Sequence, residues 1–256
     1  MRTLPAPLNM NTIAEQQVSL INGEGQRPIL LICEHASNFI PASFNGLGLN
    51  KQQLQSHIAW DLGALETAEI MARRLDAPLI AAQVSRLVYD CNRPPESPSA
   101  IPLNSEKRPI AGNIGLNSEA KKSRVNAYYR PFEAAVNHHI ASMEAPLIIT
   151  IHSFTPVYLG QQRSVEIGAL HDTDRRFADA FMRHSEQRQR FIVRRNQPYA
   201  PKDGVTHTLK HHAIPRGLNN LMLEIRNDLI ATPKQQQEMA AYLADLVELA
   251  LLETPK

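Results

Sequence analysis

Cysteine is almost missing from this chain. Cys33 and Cys91 are the only two in 256 residues, and they form no C-x-x-C pair. That argues against a cysteine-built metal site and for free thiols in a reducing cytosol, although each thiol adjoins a candidate site and zinc ligation has to be weighed. An excess of one charge is also missing. The net charge is +2 with Lys and Arg scattered along the chain, which removes the main sequence signal for nucleic acid or an anionic membrane as a partner. No run approaches the ~20 apolar residues of a membrane span. The opening M-R-T-L-P-A-P-L-N-M-N-T lacks the apolar core of a signal peptide, so a cytoplasmic protein is expected. Repeats and low-complexity linkers are absent too. What is present is an ordinary globular composition, 43% apolar and 20% charged, enough for a sizeable core. The expectation is one domain over residues 1–256, with residues 1–27 as an N-terminal arm.

Hydrophobic patterning alternates between strand and helix. Strand-like runs cover Pro28–Cys33, Leu79–Val84, Leu87–Asp90, Leu147–Ile151, Val165–Leu170, Phe191–Arg195 and Leu221–Arg226. Helical periodicity covers Lys51–Leu75, Ser118 to about Met143, Asp172–Gln189 and Pro233–Glu253. Asn92 to Pro109 carries five prolines and reads as an ordered loop or pocket rim. This alternation predicts an α/β fold with a central mixed, mostly parallel sheet covered by helices on both faces, a three-layer α/β/α sandwich.

Chemistry-bearing residues collect where strands stop, the usual place for sites in such sheets. P-I-L-L-I-C runs into Glu34-His35, P-L-I-I-T-I runs into His152, and L-M-L-E-I-R-N-D-L delivers Glu224 inside a strand, where a carboxylate is costly unless paired, metal-bound or used as a base. His35 and His152, with Asp61 from H-I-A-W-D-L-G, make a two-His, one-carboxylate set that suits zinc with a fourth position open. Glu34 neighbours His35 on a strand and so points to the other face. Asn38 is a poor zinc ligand. Glu224 has three readings: a ligand, an ion-pair partner of Arg226 on the same strand face, or the general base. S-R-L-V-Y-D-C-N-R-P-P places Arg86, Asp90, Asn92 and Arg93 around one exit. There the choice lies between gripping a substrate carboxylate and anchoring the Pro-rich loop by an Arg–Asp pair. The irregular segment Arg195 to Leu209 offers Tyr199 and Asp203 as contacts of a closing loop. His207, His211 and His212 read as solvated or supporting groups, and Arg73-Arg74 and Lys121-Lys122 as solvated helix faces.

Five motifs, C-E-H-A-S-N, H-I-A-W-D-L-G-A, S-R-L-V-Y-D-C-N-R-P-P, I-H-S-F-T-P and L-E-I-R-N-D-L, occur in this order between Pro28 and Leu229. Together they resemble the N-formylglutamate amidohydrolase family, itself distantly similar to the zinc carboxypeptidases. The resemblance implies an α/β/α hydrolase with one zinc per chain. It implies hydrolysis of a small N-acyl amino acid, foremost N-formyl-L-glutamate to formate and glutamate. It implies His35 and His152 as metal histidines, Glu224 as the catalytic glutamate, and Asn92-Arg93 as the substrate-carboxylate site; the reading of the residues adds Arg86, Tyr199 and Arg226 as further substrate contacts. The carboxypeptidase pattern has Glu three residues after the first His; here Asn38 stands there, and Asp61 is taken as the third ligand. The rival readings are a carboxypeptidase or another N-acyl amino acid deacylase, and a non-catalytic small-molecule-binding protein that keeps the fold.

Overall fold

Strand pairing organises the chain in a computed structural model that describes residues 17–254. The seven strands of the main sheet are β1 (Val18–Ile21), β2 (Ile29–Cys33), β3 (Leu79–Ala82), β4 (Leu147–Phe154), β5 (Ile167–Leu170), β6 (Val193–Arg195) and β7 (Asn220–Arg226). Their order is β1-β3-β2-β4-β7-β5-β6. The central four, β3, β2, β4 and β7, are parallel. β1 and β5 run antiparallel to their neighbours β3 and β7, and β6 runs parallel to β5. The sheet is therefore mixed and mostly parallel, as the patterning predicts. Val18–Ile21, inside the stretch read as an arm, is instead an edge strand; its short apolar patch pairs with β3.

Side-chain alternation sorts the sheet into two faces. Ile29, Leu31, Ile149, Ile151, Leu221 and Leu223 pack with the helices α1 (Ala64–Arg74), α3 (Arg176–Arg188) and α4 (Pro233–Glu253). Leu30, Ile32, Ile148 and Met222 face the other way, onto Phe132, Val136 and Ile140 of α2 (Arg130–Ser142). Period two then carries the α2 face on to His152 in β4 and to Glu224 in β7. These two residues are direct partners in the parallel register. Gly168 of β5 is the partner of Glu224 on its other side. A Cβ at Gly168 would collide with the Gln197 carbonyl, so only glycine lets the segment carrying Tyr199 lie against the strand. Gly168→Ala should therefore cost ~1–3 kcal/mol by overpacking, read as a lower urea midpoint with an unchanged slope; wild-type stability would show that the segment is free to retreat.

Two elements differ from the periodicity. The helix expected over Lys51–Leu75 is broken: a single turn, Lys51–Leu54, is followed by tight turns, and α1 begins only at Ala64. Gly63 sits at φ 76° as the N-cap and packs against the Ile230 carbonyl, where a side chain has no room. In the turn before it, the Asp61 N–H donates to the His35 carbonyl at 3.0 Å. A continuous helix would have claimed that N–H internally. Leu87–Asp90, expected as strand, is a turn: Val88 N–H donates to Ser85 O, and Leu87 N–H to Ser85 Oγ. Its apolar side chains are buried, which periodicity alone cannot separate from a strand.

Candidate metal centre and active site

His35 leaves β2, Asp61 arrives on the turn before α1, and His152 stands in β4. All three side chains are buried. Their ligand-type atoms lie within 4.8 Å of one another. His152 Nδ1 is 2.9 Å and His35 Nδ1 3.2 Å from Asp61 Oδ2, and the two Nδ1 atoms are 3.2 Å apart. Two imidazole nitrogens facing each other at that distance beside a carboxylate are repulsive unless a proton or a cation sits between them.

The far nitrogens show how the rings are held. His35 Nε2 lies 2.7 Å from Asp90 Oδ1, and His152 Nε2 lies 3.1 Å from Glu34 Oε2, the latter an ion-pair contact without hydrogen-bond alignment. A carboxylate on Nε2 favours the proton there and turns the Nδ1 lone pair toward the shared point, the arrangement that commonly backs metal-ligating histidines. The residues present therefore fit a divalent cation. The supporting acids are themselves fixed. Glu34 Oε1 accepts from Thr208 Oγ1 at 2.6 Å, and Arg86 reaches both Asp61 Oδ1 (3.4 Å) and Asp90 Oδ2 (3.3 Å).

Burial alone would raise these acids, but the charged surroundings prevail. His35 and His152 hold Asp61 below its ordinary range. His35 and Arg86 hold Asp90 well below it, and His152 and Thr208 lower Glu34. His152 shows the reciprocal effect. Burial opposes its charge, yet Glu34 and Asp61 lift it well above the usual histidine range. Glu224 is the exception among the acids. It is buried, its Oε2 has no hydrogen-bond partner among the described residues, and burial, reinforced by Asp61 against the pull of His152, raises it to about 7. A carboxyl with a free oxygen and a pKa near neutrality beside a candidate cation site is equipped to exchange a proton at neutral pH.

A cavity of about 940 Å³ opens over these groups; His35, Asp61, His152, Glu224, Arg93 and Tyr199 are among its lining residues. Of the expected substrate contacts, Arg86 also lines it but is engaged by Asp61 and Asp90. Asn92 is buried, and its amide ties the loop to Val205 O and Thr208 N–H. Among the described residues the Arg93 guanidinium bonds only neutral acceptors: Ser99 Oγ, Asn92 O and Gly204 O. Arg226 does not line the cavity. It pairs with Asp228 at 2.8 Å and approaches Glu166 at 3.7 Å, so it is not the partner of Glu224 that a shared strand face allows. Asn38 is turned away onto Leu54 O. Cys33 and Cys91 are buried free thiols outside the His–Asp–His group. The sequence reading missed the roles of Glu34 and Asp90 behind the histidines. It also missed Arg163 on the cavity wall, which stands outside every motif and carries no strand-end signal.

The N-formylglutamate amidohydrolase family profile matches residues 27–231. Among solved structures, gene product Atu2144 from Agrobacterium tumefaciens is 47% identical, with a TM-score of 0.91 over 94% of this chain and 97% of that one. N-formylglutamate amidohydrolase from Ralstonia eutropha JMP134 shares the fold at a TM-score of 0.66 and 18% identity, over 93% of this chain and all of that one. No curated protein matches the chain. Among the described residues no helix is long and apolar enough to cross a membrane. With the family profile spanning most of its length, this chain belongs to the N-formylglutamate amidohydrolase family of hydrolases.

Proposed function

We propose that this chain is a zinc-dependent amidohydrolase of small N-acyl amino acids, with N-formyl-L-glutamate as the leading substrate. One observation carries the reading: His35 Nδ1, His152 Nδ1 and Asp61 Oδ2 converge on one point beside the unpartnered carboxylate of Glu224. A zinc ion held by His35, Asp61 and His152 would polarise the amide carbonyl and lower the pKa of water at the site. Glu224 takes a proton from the attacking water and hands it to the leaving nitrogen. Arg86 keeps Asp61 and Asp90 in place, and through them His35. Arg93, with Asn92 holding its loop to Val205 and Thr208, receives the substrate α-carboxylate. The two buried free thiols suit a reducing cytoplasm.

The cavity is larger than a formyl group needs, which keeps a longer acyl group as a second reading. Formate or acid release from matched N-formyl and N-acetyl amino acids separates the two, and absence of hydrolysis across the panel would sink both. On the preferred substrate, Arg93→Ala should weaken the acid by ~2 kcal/mol or more relative to its amide. Equal losses on acid and amide would assign Arg93 to the loop alone.

A further inference from the structure

Three arginines line the cavity, and their charges are matched differently. Arg86 sits between Asp61 and Asp90. Arg93 and Arg163 make no ion pair among the described residues. Arg163 follows the small hairpin of Val157–Tyr158 and Gln161–Gln162. Its guanidinium carbon lies 4.6 Å from the Tyr158 ring centre, 5.0 Å from that of Tyr199 and 5.5 Å from that of Phe154. Its Nη1 donates to Thr155 O at 3.3 Å and Tyr199 Oη at 3.2 Å, both neutral. The backbone is pinned too: Arg163 N–H donates to Pro156 O at 2.8 Å, and the Arg163 carbonyl accepts from Arg226 Nη1 at 3.2 Å. The strand that delivers Glu224 thus also anchors Arg163, which gives Arg226 a positioning role.

An arginine fixed by rings on its face and by hydrogen bonds along its backbone, with no acid on its edge, is prepared for a planar anion from outside. Pre-fixing lowers the ordering cost of binding. The rings also keep the cation in place while no anion is bound. We propose that Arg163 is a specificity-determining residue that takes the side-chain carboxylate of an acidic N-acyl amino acid, while Arg93 takes its α-carboxylate. The inference rests on the amidohydrolase reading above and assigns the residue that reads the second carboxylate of its leading substrate. Two further acids line the cavity, and neither pairs with Arg163: Glu106 pairs with His57 at 2.9 Å, and Asp203 accepts from Ala200 N–H to close its own turn.

The test pairs ligands that differ by one charge, using the zinc-loaded protein. The first pair is N-formyl-L-glutamate against N-formyl-L-glutamine, compared as kcat/KM. The second is glutarate against pentanoate, compared as Kd by calorimetry. Wild-type protein should prefer the dicarboxylate in both. Arg163→Gln should reduce each preference by about 10- to 100-fold, the scale of a charge-assisted hydrogen bond. Arg163→Lys should recover part of it, since the charge returns without the two-pronged edge. A hairpin-only role would lower both members of each pair alike and leave the ratios intact, which overturns the proposal, as does a wild type that binds glutarate no better than pentanoate. If no N-formyl substrate is hydrolysed, the amidohydrolase reading falls, while the glutarate-to-pentanoate ratio in wild type and Arg163→Gln still decides the role of Arg163.

Discussion

His152→Ala should bind no zinc and should lose turnover by at least ~10³-fold, because several kcal/mol of transition-state stabilisation depend on the cation and each 1.4 kcal/mol is a factor of ten. The wild-type protein should carry one zinc per chain, and chelation should remove activity and lower the melting temperature, since a ligand that binds only the folded state stabilises it by mass action. His35→Ala should match His152→Ala. Asp61→Asn should be nearly as severe, because Asp61 Oδ2 is the atom both Nδ1 nitrogens approach. The groups behind the ligands make a graded control. Glu34→Gln and Asp90→Asn leave every ligand in place but remove the carboxylates facing His152 and His35, so metal affinity should fall by ~10–100-fold and recover in excess zinc. A purified protein without divalent metal, whose hydrolysis survives chelation, would falsify the metal reading.

The site was readable in the sequence to the extent that strand periodicity could carry it. His152 and Glu224 lie on strands whose apolar neighbours set the face, and that face proved to be shared, residue against residue. His35 lies two residues past the end of β2, in a turn, where period two alone would have put Glu34 on that face. Asp61 is the carboxylate that completes a two-His set, chosen for its chemistry and not from its element. A helix was expected there, and the chain instead turns at Gly63 because the Ile230 carbonyl occupies the space of a side chain, a tertiary contact that no local pattern announces. The same limit hides Arg163 and misplaces Arg226. Arg163 owes its place to rings contributed by Phe154, Tyr158 and Tyr199, separated in sequence, and Arg226 turns to Asp228 and to the hairpin although it shares a strand face with Glu224. Alternation argues only that Glu34 and His35 are not both ligands. The contact of Glu34 with the far nitrogen of His152 depends on the β2–β4 pairing, which is a property of the assembled sheet.

Glu224→Gln should fold, keep its zinc and turn over ~10²–10⁴-fold more slowly, the usual size of a general-base contribution. The amide fills the same space between His152 and Gly168 but cannot accept a proton near neutrality. The acidic limb of the wild-type kcat/KM profile should have its midpoint at or below 7, because burial raises Glu224 to about 7 and a bound cation only favours the carboxylate. That limb should vanish in the variant. Stability gives an independent readout with the opposite sign. A carboxyl raised from 4.5 to about 7 on folding binds more protons in the native than in the unfolded chain between those values. Its burial therefore costs no ionisation free energy below about pH 4.5; the cost grows between about pH 4.5 and 7 and levels off above that, at about 3 kcal/mol. Glutamine escapes that cost. In chelated protein at pH 8 the variant should melt higher than wild type, and the gap should shrink toward pH 5. A glutamate held in a structural ion pair would behave in reverse, losing stability on replacement while the folded fraction kept its turnover. Zinc content, melting temperature at two pH values and turnover, measured on one preparation of the variant, separate the two. A zinc-loaded variant with wild-type turnover removes Glu224 from the chemistry.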